Sequence, residues 1–299
     1  MKRNNIVCIP PFIDFMLLGQ CDMCCPFCFG PKHEIPPMKT KDIFLVIKRL
    51  KKLGARGVVF TGGEPSLISD LPKILAYAKK LGLLCVLSTN GSAFHKNPTF
   101  LKKCASSLDW ISLPIDSTDP VIGNTLRKNI THSPLKHFET TIDIIRFIQK
   151  NIPRLKIKIG TVVTKLNQNI VCNIPNYLSL NKAIPDTWKI YQISPSEYGK
   201  INYSTLRISN TKFEKIFEKC AIKAESNNLK NVQKYSNVDR PGKYLFVNPQ
   251  GELLIVDNKT NNYQSIGNIL RNSLHNLSGI NDLIKIPKNI KNFNNTYPS

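Results

Sequence analysis

The sequence contains no apolar run that approaches the roughly 18 residues needed to span a bilayer. Its first residues, MKRNNIVCIPPF, are basic and lack the apolar segment and small-residue cleavage site of a secretory signal. Acidic residues are scarce, because 20 Asp and Glu stand against 42 Lys and Arg, and the formal net charge is +22. We therefore expect a cytoplasmic protein with no membrane partner.

The positive charge favours no single class of partner. Lys and Arg are spread from Lys2 to Lys291 among many Asn and Ile, so a general compositional bias accounts for most of the excess. An anionic substrate such as a nucleotide, or an acidic protein partner, would account for the remainder as well as RNA would. Nucleic acid is the least supported of these partners, because it rests on charge alone.

The chain of 299 residues, of which 41% are hydrophobic, is long enough for an α/β domain with an appendage. Short β-branched or aromatic runs alternate with longer runs of helical period, a pattern typical of βα units around a parallel sheet. The predicted strands cover 12–18, 57–61, 84–88, 110–115, 156–163 and 188–193. The predicted helices between them cover 41–53, 71–81, 98–104, 136–151 and 173–180.

Beyond residue 200 the pattern changes. A helix is predicted over 211–226, followed by a polar stretch and then a hairpin whose strands, 244–247 and 252–256, flank a turn-forming Asn-Pro-Gln-Gly segment. We expect residues 1–200 to form a core barrel and residues 201–284 to form an α+β extension that covers it. The last residues, 285–299, are rich in Asn and Lys and are predicted to be a disordered tail.

Nine cysteines, an odd number, argue against a secreted disulfide framework, and four of them lie between residues 21 and 28. This segment, Cys-Asp-Met-Cys-Cys-Pro-Phe-Cys, contains C-x3-C-x2-C and also two C-x2-C pairs that resemble zinc ligation. Four thiolates would close a tetrahedral zinc site, whereas three thiolates on a four-iron cube would leave one iron open. The segment alone therefore allows both a zinc-binding interaction module and an iron–sulfur enzyme.

A second motif, Gly-Gly-Glu-Pro at 62–65, closes the second predicted strand. Together the two motifs resemble those of the radical SAM superfamily, in which the cysteine loop follows the first strand of a partial (β/α)6 barrel. The resemblance implies an α/β fold of that kind with a C-terminal α+β extension. It also implies that Cys21, Cys25 and Cys28 hold one 4Fe-4S cluster, with Cys24 outside the ligand set.

The same resemblance implies contacts to S-adenosylmethionine (SAM). Gly62, Gly63 and Glu64 would receive its methionyl amino group, because an ammonium needs acceptors at close approach and glycines let the backbone come near. Phe27, the aromatic residue before the third cysteine, would lie near the adenine. A plain glycine turn is the alternative for the second motif, and the upstream cysteines disfavour it.

Polar residues near the ends of the next three strands complete the implied SAM site: Ser88, Asn90, Asp116, Arg127 and Thr164. The first two would contact the ribose, although Asn-Gly is also an ordinary turn. Asp116 would reach the ribose or carboxylate, or else cap a helix. Arg127 would bind the carboxylate of SAM, or else lie on the surface.

If the resemblance holds, the protein is an enzyme that cleaves SAM reductively and uses a 5′-deoxyadenosyl radical to abstract hydrogen from a substrate. It would need an external one-electron reductant of the flavodoxin or ferredoxin type. Only Cys220 lies beyond Cys172, so the cysteines for auxiliary clusters are missing and one cluster is expected.

The substrate is less closely constrained. Several stretches resemble the viperin-like nucleotide dehydratases, above all Trp-Lys-Ile-Tyr-Gln at 188–192. The resemblance makes Lys158, Lys189 and Tyr191 substrate candidates, with the lysines receiving a triphosphate inside the barrel, unless they point into solvent. Gly57 stands where those enzymes carry a lysine, which weakens the resemblance. Modification of a peptide or a natural-product intermediate is the alternative, and RNA modification is the third hypothesis.

Overall fold

The computed structural model describes residues 9–31, 34–131, 136–195, 198–239, 244–257, 260 and 262–272. The strands are β1 (Phe12–Met16), β2 (Gly57–Thr61), β3 (Leu84–Ser88), β4 (Trp110–Pro114), β5 (Lys156–Val163), β6 (Thr187–Gln192), β7 (Val232–Tyr235), β8 (Phe246–Val247), β9 (Glu252–Val256) and β10 (Tyr263–Asn268). The helices are α1 (Thr40–Lys52), α2 (Leu71–Lys80), α3 (Ser92–Lys96), α4 (Pro98–Ala105), α5 (Pro120–Leu126), α6 (His137–Asn151), α7 (Ile174–Leu180), α8 (Tyr198–Leu206) and α9 (Asn210–Glu225).

The ten strands of the described residues form one sheet, in the order β10-β9-β8-β1-β2-β3-β4-β5-β6-β7. Every pairing from β8 through β7 is parallel, and β9 and β10 are added antiparallel at one edge. The expected α/β class with a parallel sheet is therefore confirmed. Segments beyond residue 200 extend this sheet at both edges, with β7 beside β6 and β8 beside β1.

The predicted strands and helices are present, with ends that move by one or two residues. The predicted hairpin is formed by β8 and β9. The sequence patterns missed α3, α5, α8, β7 and β10, which are short or polar. Strand β7 is an edge strand whose four residues, Val-Gln-Lys-Tyr, are only partly buried or exposed, so no hydrophobic alternation marked it.

Helix α2 shows how the local sequence fixes an element. Leu71, Ile74, Leu75 and Ala78 recur at helical spacing and are buried. A proline lies in the first turn, where its missing N–H costs nothing, and the helix is followed by Gly82 with φ of +69°. The apolar face therefore packs on the sheet.

The alternation of side chains along the strands divides the interior into two regions. On β1, Ile13 and Phe15 belong to the large core between the sheet and its helices. Phe12 and Met16 point to the opposite, inner face, which we call the lumen. The floor of the lumen is an apolar cluster of Phe12, Val59, Val86 and Trp110.

Helix α8 and strand β10 contact the cysteine loop. The backbone N–H of Gly199 donates to the carbonyl of Cys28 at 2.9 Å, and Asn202 Nδ2 donates to the carbonyl of Pro26 at 3.0 Å. From β10, the Tyr263 hydroxyl donates to the carbonyl of Phe29 at 3.2 Å. The predicted tail, 285–299, lies outside the described residues, and the domain boundaries stay predictions. Among the described helices, none combines the length and apolarity that crossing a membrane requires.

Candidate active site

The cysteine loop follows β1 directly. Cys21, Cys25 and Cys28 are half-buried, whereas Cys24 is exposed. Within the described part of the chain, no three His, Cys, Asp or Glu side chains converge on a point where one metal ion could bind.

The three expected ligands differ from Cys24 in the hydrogen bonds that their sulfurs receive. Cys21 Sγ receives the backbone N–H of Met23 at 3.4 Å, and Cys28 Sγ receives that of Gly30 at 3.3 Å. Cys25 Sγ receives Arg127 Nη1 at 3.7 Å. No described residue donates to Cys24 Sγ. N–H donors of this kind stabilise negative charge on sulfur and tune iron–sulfur clusters.

Burial disfavours the ionised thiolate form of the cysteines in this loop. It raises the pKa of the Cys21 thiol well above its ordinary value, and it raises that of Cys25 to about 12 despite the nearby Arg127. Coordination to a cationic cluster reverses such a penalty, because a metal-bound thiol is deprotonated outright. Three partly buried thiols with N–H donors thus fit the ligand set of a cluster.

The two glycines of the second motif lie against the cysteine loop. A Cβ on Gly62 would be 2.5 Å from the carbonyl oxygen of Leu18, and a Cβ on Gly63 would be 2.0 Å from that of Gln20. Gly62 also has a φ of +136°. The backbone N–H of Gly63 in turn donates to the Leu18 carbonyl at 2.7 Å. The glycines are therefore needed for the close approach of this turn to the loop that carries the cysteines.

Glu64 is 1% exposed and joins the ends of β2 and β3. Its Oε1 accepts the backbone N–H of Ser66 at 3.0 Å and the hydroxyls of Ser66 and Thr89, and its Oε2 accepts the backbone N–H of Asn90 at 2.7 Å. Burial raises the pKa of Glu64, while these donors lower it. Oε2 receives a single donor, the N–H of Asn90, so it is the carboxylate oxygen with more acceptor capacity left.

Asn90 faces the cysteine loop as well. Its Nδ2 donates to Asp22 Oδ1 at 2.6 Å and lies 3.9 Å from Cys21 Sγ, while Ser92 Oγ donates to the other oxygen of Asp22. Sequence reasoning missed Asp22, which links the loop to the end of β3. Ser88, the last residue of β3, is partly exposed and pairs in register with Ser112 of β4.

Asp116 and Arg127 form a buried ion pair next to the cysteines. Arg127 Nε donates to Asp116 Oδ2 at 2.6 Å, and the two side chains are 17% and 1% exposed. Asp116 Oδ1 also accepts the backbone N–H of Val162 at 2.7 Å. The guanidinium lies 5.0 Å from the ring centre of Phe27. The helix cap that Asp116 could have supplied is instead Asp119, whose Oδ1 accepts the Ile122 N–H.

Thr164 follows β5, and its hydroxyl bonds to residues of the turn that comes directly after it. It is fully buried, its hydroxyl donates to Asn167 Oδ1 at 3.1 Å, and it accepts the backbone N–H of Leu166. Asn167 Nδ2 in turn donates to the carbonyl of Asp116 at 2.8 Å. The Thr164 hydroxyl therefore supports the turn that holds Asp116.

Lys158 and Lys189 point into the lumen. Their strand neighbours Ile157, Ile159 and Ile190 pack in the large core, so alternation turns the lysines inward, where they are 4% and 5% exposed. Burial and the neighbouring Lys189 lower the pKa of Lys158 to about 7, while Asp14 raises it. The lysines thus line the lumen, not the solvent-facing side.

Aromatic side chains surround Lys189. Its Nζ lies 5.3, 4.6 and 5.8 Å from the ring centres of Tyr191, Tyr235 and Tyr244, and it donates to the Tyr244 hydroxyl at 3.2 Å. Burial raises the pKa of Tyr191 well above its ordinary value. Tyr235 and Tyr244 come from beyond residue 200, and no sequence pattern connected them to a lysine on β6.

Comparison with known proteins identifies the family. The sequence model described as Radical SAM superfamily matches residues 17–169, about half of the chain, including both motifs. The chain belongs to the radical SAM superfamily. It is therefore an enzyme that binds a 4Fe-4S cluster and SAM.

Two curated relatives of this radical SAM enzyme carry the same name, S-adenosylmethionine-dependent nucleotide dehydratase. The one from Flammeovirga pacifica is 31% identical over 282 residues, which cover 90% of this chain and 89% of the relative. The one from Lacinutrix mariniflava is 28% identical and matches 88% of this chain, but the chain spans only about half of that relative, 54%.

Solved structures support the expected fold. SuiB of Streptococcus suis, bound to the precursor peptide SuiA, aligns with a TM-score of 0.70 at 17% identity, covering 93% of this chain and 66% of SuiB. Native anSMEcpe, with bound AdoMet and the Cp18Cys peptide, aligns with a TM-score of 0.67 at 18% identity, covering 92% of this chain and 82% of anSMEcpe. At these identities the likeness shows the fold alone, and the predicted partial barrel is confirmed.

Proposed function

We propose that this radical SAM enzyme is a nucleotide dehydratase that binds a nucleoside triphosphate in its lumen and removes water from it. The observation that carries the proposal is the pair of buried lysines, Lys158 and Lys189, on adjacent strands. The curated relatives named nucleotide dehydratase, of which one matches nine-tenths of the chain, support it.

The two lysines place positive charge inside the lumen, where a polyphosphate could bind. Lysines are seldom so deeply buried, because burial penalises the ammonium. That penalty is visible in the pKa of Lys158, lowered to about 7. Lys158 of β5 pairs in register with Thr187, two residues before Lys189 on β6, so both ammonium groups lie on one wall. A polyphosphate supplies several charged oxygens along such a wall.

The other groups have proposed roles around the SAM. The bound cluster and SAM together supply the radical that abstracts a hydrogen atom. The three cysteines would hold the cluster, and Glu64 would accept the SAM ammonium. Arg127, fixed by Asp116, would bind the carboxylate, and Phe27 would pack near the adenine. Asn90 and Thr164 would act mainly by supporting the cysteine loop and Asp116.

The test uses anaerobically reconstituted protein, reduced by one electron from dithionite or a flavodoxin-like donor. We expect one or more ribonucleoside triphosphates to raise 5′-deoxyadenosine production and to yield a product lighter by one water. The matched pair Lys189→Met and Lys219→Met separates the lumen from the surface, since only the first should lose nucleotide dependence. Failure of every nucleoside triphosphate to stimulate SAM cleavage would refute the proposal, and stimulation by a peptide would favour peptide modification instead.

A further inference from the structure

Asp14 is a charged residue in an otherwise apolar first strand, Phe-Ile-Asp-Phe-Met. Ile13 and Phe15 on either side of it pack in the large core, so alternation directs the Asp14 side chain into the lumen. Below it, Phe12 belongs to the apolar floor. Asp14 therefore stands one step above the floor, on the β1 wall.

Its carboxylate has no partner within the described residues. Its backbone N–H donates to the Leu245 carbonyl at 3.1 Å, but no described side chain or backbone group donates to the carboxylate oxygens. Lys158 and Lys189 act on it only through their charge. Burial raises the pKa of Asp14 to about 6, with both lysines opposing the rise, so the group is ionised near neutral pH.

Asp14 and the lysines belong to different strands. In the sheet, β2, β3 and β4 lie between β1 and β5, and the charges of Lys158 and Lys189 still act on the Asp14 carboxylate across the lumen. The Lys189 ammonium is instead held by the Tyr244 hydroxyl and lies over the ring of Tyr235. A molecule bound in the lumen would thus place an anionic group at the lysines and a hydrogen-bond donor at Asp14.

We propose that Asp14 accepts a hydrogen bond from the ribose 2′-hydroxyl of the nucleotide and thereby selects ribonucleotides over 2′-deoxyribonucleotides. A carboxylate is the group by which dinucleotide-binding folds hold a ribose 2′-hydroxyl. The inference rests on the proposed function, because it requires a nucleotide in the lumen with its phosphates at the lysines. A 2′-deoxy substrate would leave the carboxylate buried without a donor, which is costly.

The experiment compares a ribonucleoside triphosphate with its 2′-deoxy analogue. Dissociation constants from calorimetry and kcat/KM for 5′-deoxyadenosine formation are measured on cluster-loaded wild type, Asp14→Ala, Asp14→Asn and the exposed control Asp143→Asn. We expect wild type and the control to prefer the ribonucleotide by at least about 100-fold, as sites built around a substrate hydroxyl do. Asp14→Ala should reduce that preference to less than about 3-fold by weakening ribonucleotide binding selectively, with Asp14→Asn intermediate.

The outcomes separate the two hypotheses. Ribonucleotide turnover without discrimination in wild type, or equal losses for both nucleotides in Asp14→Ala, overturns the role of Asp14 alone. A lack of binding by every ribonucleotide overturns the proposed function, and the role of Asp14 with it. Cluster content shows whether each variant is folded, and Asp14→Asn is the isosteric variant least expected to misfold. A folded Asp14→Asn protein that discriminates between the two nucleotides as well as wild type would also contradict the inference.

Discussion

Raising the pH above 7 should weaken triphosphate binding through Lys158. Burial and the charge of Lys189 lower the pKa of this ammonium to about 7, against the opposing effect of Asp14. A lowered pKa means that the free protein holds the proton below pH 7 and loses it above. At about pH 8, roughly one molecule in ten still carries the charge in the free state.

The magnitude follows from that pKa. A bound polyphosphate favours the charged lysine, so binding above pH 7 must take up a proton, about 0.9 per nucleotide near pH 8. The dissociation constant should therefore rise about tenfold for each pH unit above 7, or about 1.4 kcal/mol. Phosphate groups, with a second pKa of about 6, are already ionised in this range and contribute little.

Calorimetry on the cluster-loaded protein measures both quantities. Titrations between about pH 7 and pH 9, in two buffers that differ in ionisation enthalpy, give the affinity and the proton uptake. Lys158→Arg is the matched control, because its guanidinium stays charged and should flatten the pH dependence. A wild-type affinity that is constant across this range, with no proton uptake, would refute the reasoning.

Three further predictions concern the supporting structure. Gly63→Ala should destabilise the protein by roughly 3 kcal/mol and prevent cluster loading, because its Cβ would meet the backbone of the cysteine loop; normal iron content in this variant would contradict the packing. Arg127→Gln should cost roughly 3 kcal/mol in urea unfolding of the apoprotein by leaving Asp116 buried without its cation, and adding Asp116→Asn should recover part of the loss; an additive double variant would show that the two residues do not interact. Hydrogen peroxide should oxidise Cys172 and Cys220 to a disulfide, because their sulfurs are 2.6 Å apart. The two thiols lose two hydrogens, and the peroxide is reduced to water. Peptide mapping that finds both thiols free after this treatment would contradict the prediction.

Much of the barrel could be predicted from the sequence because its signals are local. The alternation of strand and helix patterns predicted β1 to β6 and the main helices, because strands buried on both faces consist of apolar runs. The two motifs indicated which loop carries the cysteines. Strand β7 could not be predicted, since it gains its hydrogen bonds only by adding to the edge of β6.

The site was only partly predictable for a similar reason. Arg127, Phe27 and Asp116 were identified by motif, but their contact is tertiary, and alternation alone does not say which face of a strand is inward. The direction of Lys189 became clear only with the large core in place. Tyr244 lies 55 positions further along the chain, so its contact with Lys189 required the fold.

The assignment of Cys21, Cys25 and Cys28 as cluster ligands is tested most directly by anaerobic reconstitution of Cys25→Ala beside Cys24→Ala. Cys24 is exposed and receives no hydrogen bond from the described residues, so Cys24→Ala should hold about four irons per chain and form 5′-deoxyadenosine on reduction. Cys25→Ala should lose both the iron and the activity. Retained SAM cleavage in Cys25→Ala, or its loss in Cys24→Ala, would contradict the ligand set.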